Sequence, residues 1–239
     1  MTFQDLVKLW NSYKQQYGDR AYKHLSELLR EAKDLHRKDF IKRPTQMGDH
    51  EQSWRSFKGK NLEKLIEYII KDEVESLGLE IVNGNKLDKT NAQKLPKHLS
   101  SVKRNLLIDY GEFGYHFPDL DIIIYNPRTC KVVAAISSKV TLRERIAQTG
   151  YWKIKLSKDE VTKNIRVFFV TPDEDGTLTK KSPAKKGRAI VEVDTDGGYV
   201  MSESQIEESA KVKTFDKFID DLRNLVSNSQ ENCLHEKES

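Results

Sequence analysis

Two apolar runs, LDIIIY (120–125) and CKVVAAI (130–136), stand on either side of NPRT (126–129). Both are rich in β-branched residues and too short for a helix, and the Asn-Pro step between them breaks either kind of element. An antiparallel hairpin is predicted here. With the turn centred on 126–129, positions whose numbers sum to about 255 face each other. Asp119 then lies beside Ile136, within a residue or two of Ser137 and Lys139. Ser137 and Lys139 alternate with Ser138 and share a face of their strand. Asp121 joins the side of Asp119 only if the first strand is regular.

The flanking patterns give the surrounding elements. Leu6, Leu9 and Trp10, then Leu25, Leu28, Leu29, Ala32 and Leu35, recur at helical spacing over residues 1–43, with a break at Gly18-Asp19. Pro44 to Asp49 has turn composition and marks a boundary. Leu62, Leu65, Ile66, Ile69, Ile70, Val74 and Leu77 form the longest helical stripe, stopped by Gly78. The polar stretch 83–105 reads as a surface loop, IRVFFV (165–170) as a third strand, 171–188 as a mobile loop and AIVEV (189–193) as a fourth strand. Phe215, Phe218, Ile219, Leu222 and Leu225 mark a last helix, and 227–239 has the composition of a disordered tail. The fold class is α/β, with a central mixed sheet flanked by helices. A helical N-terminal region (1–52) precedes the main domain (53–226) and the tail (227–239).

Charge narrows the partner. The 239 residues carry a net charge of +4, but residues 139–188 hold 13 Lys/Arg against 6 Asp/Glu, and residues 189–239 hold 5 against 12. A basic stretch is the electrostatic footprint of a nucleic-acid partner, although proteins without one also have such stretches. KKSPAKKGR (180–188) is a candidate phosphate-contacting loop, and HRKDFIKR (36–43) either contacts DNA, joins a dimer interface or is merely solvated. No apolar run is long enough to span a bilayer. Asp5 and Lys8 interrupt any signal-peptide core, and Cys130 and Cys233 are too far apart in sequence to suggest a disulfide framework or zinc site. A reducing cytoplasm is the expected compartment.

A carboxylate beside a lysine at a strand end is half of a metal-dependent phosphodiesterase site. The carboxylate holds Mg²⁺, while the lysine orients or deprotonates the attacking water and adds positive charge beside the phosphate. A plain Asp–Lys salt bridge at a sheet edge is the simpler alternative.

The segment PDLDIIIYNPRTCKVVAAISSKVTLRERIAQTGYWK (118–153) resembles the core of the PD-(D/E)xK nuclease superfamily: a PD step, a hairpin, then SSK. Its K-x-x-x-RER-x-x-Q pattern is similar to type II restriction endonucleases of the BsaWI type, which recognise CCGG or sites containing it. GKNLEKLIEYII (59–70) is similar to the early helix of that fold, where a glutamate often joins the metal site, so the resemblance runs over roughly residues 53–170. It implies a restriction-endonuclease-like core in which Asp119 matches the metal-binding aspartate and Lys139 the catalytic lysine. Ser137 stands where many members carry Asp or Glu. Serine is a poor metal ligand, so a second acid must come from elsewhere. Tyr151, Trp152 and Lys153 downstream are not acidic, leaving Glu63 as the choice and Glu67 in reserve; for both, a solvated helix flank is the alternative.

Thr141 and Glu144 have the spacing of a capping box, which by itself accounts for Glu144. Arg143 and Arg145 sit where the helix dipole disfavours cations by roughly 0.3–1 kcal/mol, a conflict that an anionic partner removes. An arginine fork matches guanine O6 and N7, and a carboxylate accepts from cytosine N4. The resemblance likewise makes Arg143, Glu144 and Arg145 readers of neighbouring G·C pairs, with Gln148 touching an outer base or a phosphate. The expectation is a Mg²⁺-dependent type II restriction endonuclease acting on double-stranded DNA at a G·C-centred palindrome containing CCGG and leaving 5′-phosphates. A palindrome implies a homodimer or larger even oligomer. The rivals are a structure-specific repair or recombination nuclease on the same fold and, because of Ser137, a DNA-binding protein without catalysis.

Overall fold

The computed structural model describes residues 1–42, 48–139, 143–201 and 205–235, without the side chains of Arg143, Glu144 and residues 228–235. Helices α1 (Phe3–Tyr17), α2 (Leu25–Ile41) and α3 (His50–Ser76) come first. Thr2 and Asp5 cap α1 reciprocally, Asp49 caps α3 by accepting from the Glu51 N–H, and Gly78 at φ +71 ends that segment. Strand β1 (Glu80–Asn83) then leads into short helices α4 (Gly84–Lys89) and α5 (Lys97–Arg104). The stretch expected to be a loop from 83 to 105 is thus partly helical. Leu87, Val102 and Leu106 bury an apolar side that its many lysines and asparagines conceal in the sequence.

A small hairpin, β2 (Ile108–Asp109) and β3 (Tyr115–His116), precedes β4 (Ile122–Tyr125) and β5 (Val132–Ser138). Next come α6 (Arg143–Leu156), β6 (Arg166–Thr171), α7 (Lys186–Asp194), β7 (Gly197–Val200), β8 (Val212–Thr214) and α8 (Phe218–His235). The main sheet has the order β1-β4-β5-β6-β7-β8: the pairs β1/β4 and β4/β5 are antiparallel and the rest parallel. AIVEV, expected as a strand, lies in α7. Because β6 and β7 run parallel, a crossover must join them, and a helix is its usual form. The strand that follows β6 is instead GGYV, in β7, whose paired glycines hid it. Helix α8 runs to His235, past the expected start of the tail, and 236–239 lie outside the described residues.

One face of the sheet (Ile122, Ile124, Ala134, Ile136, Phe168, Val170) packs against α1, α2, α3 and α8 in a single continuous cluster. On the other, Ile123, Ala135 and Val167 meet α4, α5 and Leu156, while Phe169 meets Ile146 of α6 and Val191 of α7.

The hairpin register differs from the expected one. Asn126 N–H donates to Lys131 O and Cys130 N–H to Asn126 O, and Cys130 adopts φ +57. Cys130 and Lys131 therefore belong to the turn and Tyr125 pairs with Val132; a one-residue irregularity between Ile124 and Tyr125 then sets Ile124 opposite Ala134 and Ile122 opposite Ile136. Asp121, not Asp119, is brought level with Ser137. Gly84 fixes that stretch from behind: its N–H donates to Asp121 O at 2.8 Å, and a Cβ there would lie 1.8 Å from Leu120 O. Gly84→Ala must displace the segment carrying Asp121 and is expected to cost about 1–3 kcal/mol, the usual range for overpacking. The check is a lower Tm by calorimetry.

Candidate active site

The N-terminal end of β4 meets the C-terminal ends of β5 and β6 at one rim of the sheet. Asp121 sits there, one residue before β4, with its N–H bonded to Ile136 O at 2.9 Å. Its side chain is 1% exposed. Oδ2 accepts from the Ser138 N–H at 2.7 Å, and Oδ1 accepts from Lys139 Nζ at 2.6 Å. A buried carboxylate is tolerable only with such charge-assisted partners. Lys139 lies just past β5, half-buried, with its N–H held by Val170 O.

Glu63 reaches the same place from α3. Burial raises its carboxyl above the ordinary range; the Asp121 charge adds to the rise, and so does a hydrogen bond to Asp121, while Lys139 opposes it. Two carboxyls this close resist joint ionisation until a cation joins them. Glu67, one turn on, is also raised by burial, but its hydrogen-bond partner is Asn83 of β1. The reserve acid therefore serves the strand edge rather than this cluster.

Among the described residues no group of three or more His, Cys, Asp and Glu gathers. The donor set at the rim is two carboxylates. That fits Mg²⁺, which keeps several waters and takes one or two carboxylates together with phosphate oxygens. Ser138, on the face of β5 that packs against α3, buries a hydroxyl without a hydrogen-bond partner among the described residues, a polar atom that a hydrated cation would satisfy. Ser137 is buried on the opposite face, in register with Phe169.

Asp119 does not meet Lys139. It is exposed, and its Oδ2 accepts from Gln148 Nε2 of α6 at 3.0 Å. The longer turn moved the pairing by two positions and the irregularity between Ile124 and Tyr125 by one more, which brought Asp121 rather than Asp119 level with Ser137. In the sequence Asp121 is at most a further acid on the side of Asp119; the left-handed Cys130 that lengthens the turn gives no sign there.

Helix α6 begins at this rim. Ile146 is fully buried and anchors it against Phe169, the Thr149 hydroxyl donates to Arg145 O, and Arg145 is exposed. The side chains of Arg143 and Glu144, and Thr141 with them, lie outside the described residues, so the expected capping box does too. Trp54, Phe168 and Phe169 are core residues. Arg188, expected in a phosphate-contacting loop, is fully buried instead: it donates to Leu178 O, Glu207 O and Glu192, tying the 178–207 connection together. No described helix is long and apolar enough to cross a membrane.

Comparison with known proteins gives concordant matches. The family model "BsaWI restriction endonuclease type 2" matches residues 98–221. Over 176 residues the chain is 38% identical to a protein of Methanocaldococcus jannaschii assigned as the type II restriction enzyme MjaVIP, covering 72% of this chain and 76% of that one. It is 35% identical over 134 residues to a Helicobacter pylori protein assigned as the type II restriction enzyme HpyAORF263P, covering 56% and 67%. Among solved structures, the specific restriction endonuclease AgeI in complex with DNA superposes with a TM-score of 0.52 at 15% identity, over 93% of this chain and 91% of that one, a likeness of fold.

Proposed function

The chain belongs to the BsaWI family of type II restriction endonucleases and is a site-specific deoxyribonuclease, and from that premise we propose that Asp121, Lys139 and Glu63 form its catalytic centre. The observation that carries the assignment is the 2.6 Å contact of Lys139 Nζ with the buried Asp121, a carboxylate that Glu63 also faces. Asp121 and Glu63 replace the pair Asp119 and Glu63 as the carboxylates that would hold Mg²⁺. Bound there, the ion would lower the pKa of a water and neutralise charge building on the phosphate. Lys139 holds its ammonium beside the attacked phosphate, where it orients the incoming water and offsets the developing negative charge. The Ser138 N–H fixes the Asp121 carboxylate, and Ser137 contributes a neutral hydroxyl on the opposite face of the strand.

The substrate in this reading is double-stranded DNA carrying a G·C-centred palindrome that contains CCGG, cut on both strands to leave 5′-phosphates. Arg143 and Arg145 supply the forks for guanine and Glu144 the acceptor for cytosine. Lys139 and the readers are only a few residues apart, so docking of the readers sets the phosphate against the ammonium. A palindrome calls for two copies, as a homodimer or a larger even oligomer, working in the cytoplasm.

Digestion of a DNA of known sequence tests the reading. Discrete fragments whose mapped ends fall at CCGG and carry 5′-phosphate, formed with Mg²⁺ and suppressed by EDTA, are expected. Fragments ending elsewhere would overturn the proposed site, and cleavage in EDTA would overturn the metal.

A further inference from the structure

Asp119 is left without a part in the catalytic centre, yet it holds one of the expected readers. Gln148 lies one turn past Arg145, half-buried, and its Nε2 donates to Asp119 Oδ2 at 3.0 Å. An ionised carboxylate has no proton to give. The reverse orientation of the amide would set oxygen against oxygen, so the pair fixes which end of Gln148 faces outward. A free glutamine can rotate its amide by half a turn and offer either a donor or an acceptor to the same point in space. Held by Asp119, Gln148 keeps Oε1 directed away from the carboxylate and retains the second hydrogen on Nε2. Asp119 also stands two residues before Asp121, on the segment that enters β4, so the same short stretch of chain carries both the catalytic carboxylate and the clamp on the reading helix.

We propose that Asp119 is a positioning residue for recognition: by pinning Gln148 it commits the amide oxygen to a base whose major-groove edge presents an exocyclic amino group. The chemistry is that of adenine N6 or cytosine N4, the donors that face the groove. Adenine would engage both the oxygen and the remaining hydrogen of the amide. This rests on the proposed function above, since it takes α6 as the element lying in the groove.

The experiment uses the full chain and duplexes varied at the base pairs flanking and within the cleaved site, including purine for adenine and 2-pyrimidinone for cytosine, each lacking the amino group. Competition binding gives the discrimination ratio for a chain that cuts or one that does not. Steady-state kinetics then give KM and kcat separately. Asp119→Asn, whose amide can meet Gln148 either way round, is expected to reduce discrimination at one base pair about tenfold, in the range of one good base contact. The loss should fall on KM and exceed any change in kcat. Asp119→Glu should restore part of the ratio, and Asp119→Asn added to Gln148→Ala should cost nothing further. The analogue that wild type rejects identifies the base.

Unchanged discrimination in Asp119→Asn, or additive losses in the double variant, would overturn the proposal. So would a kcat loss equal on every duplex, which would make Asp119 part of the chemistry. Failure of the underlying reading looks different: Arg145→Ala would then discriminate among the duplexes as wild type does, whatever the Asp119 variants show.

Discussion

Asp121→Ala is expected to lose DNA cleavage by three orders of magnitude or more, while Asp119→Ala goes on cutting with weakened sequence discrimination. Asp121 is the buried carboxylate that Lys139, Ser138 N–H and Glu63 all address. Without it a divalent ion would keep one protein carboxylate, and Glu63 alone on a helix flank is a poor site. Metal assistance to phosphodiester hydrolysis supplies several kcal/mol of transition-state stabilisation, and at about 1.4 kcal/mol per factor of ten that amounts to roughly 10³-fold or more. Titration of Mg²⁺ should show that high metal concentration does not recover the rate. Because Asp121→Ala also strands a buried N–H and the lysine, Asp121→Asn provides the control. It keeps the side-chain volume and an oxygen for Ser138, so it should fold with a similar circular-dichroism spectrum and still fail to cut. Equal cleavage by Asp121→Asn and wild type would remove Asp121 from the centre.

Lys139→Ala should reduce the single-turnover cleavage rate by roughly 10²–10⁴-fold, the usual contribution of a positioned proton-transfer group. DNA binding measured with Ca²⁺ in place of Mg²⁺ should fall far less, because the proposed base contacts come from α6 and not from Lys139. Lys139→Arg should not rescue the rate: the guanidinium stays protonated and its planar fork cannot reproduce a compact ammonium 2.6 Å from Asp121. A Lys139→Ala protein that cuts within a few-fold of wild type would reduce the Asp121–Lys139 contact to an ordinary salt bridge.

How far the sequence reached is clearest at the hairpin. The apolar runs announced both strands, and the SSK and RER elements placed Lys139 and the reading helix next to each other. The choice between Asp119 and Asp121 depended on whether Cys130 begins a strand or completes a turn. That is a matter of one left-handed backbone conformation, which a cysteine does not advertise. AIVEV was misread for a related reason: a five-residue apolar run fits a buried strand or one face of a short helix equally well. The parallel pairing of β6 with β7, invisible until both strands are placed, required the helix. Glu63 was reachable through the resemblance, which implies that a glutamate of the early helix often joins the metal site. Gln148 was singled out as a reader, but its clamp was not, since Asp119 had been assigned elsewhere.

By itself the sequence determined what local pattern and composition can specify: an α/β chain, its long apolar helix, its central strands, and a lysine followed closely by a basic helix. The tertiary structure alone decided which carboxylate faces that lysine, which acid from α3 joins it, and which arginine is spent inside the protein. Those outcomes hinge on register and burial, which are set jointly by segments far apart in the chain. A turn holding two more residues, with a one-residue irregularity beside it, is enough to bring one aspartate rather than the other level with the end of β5.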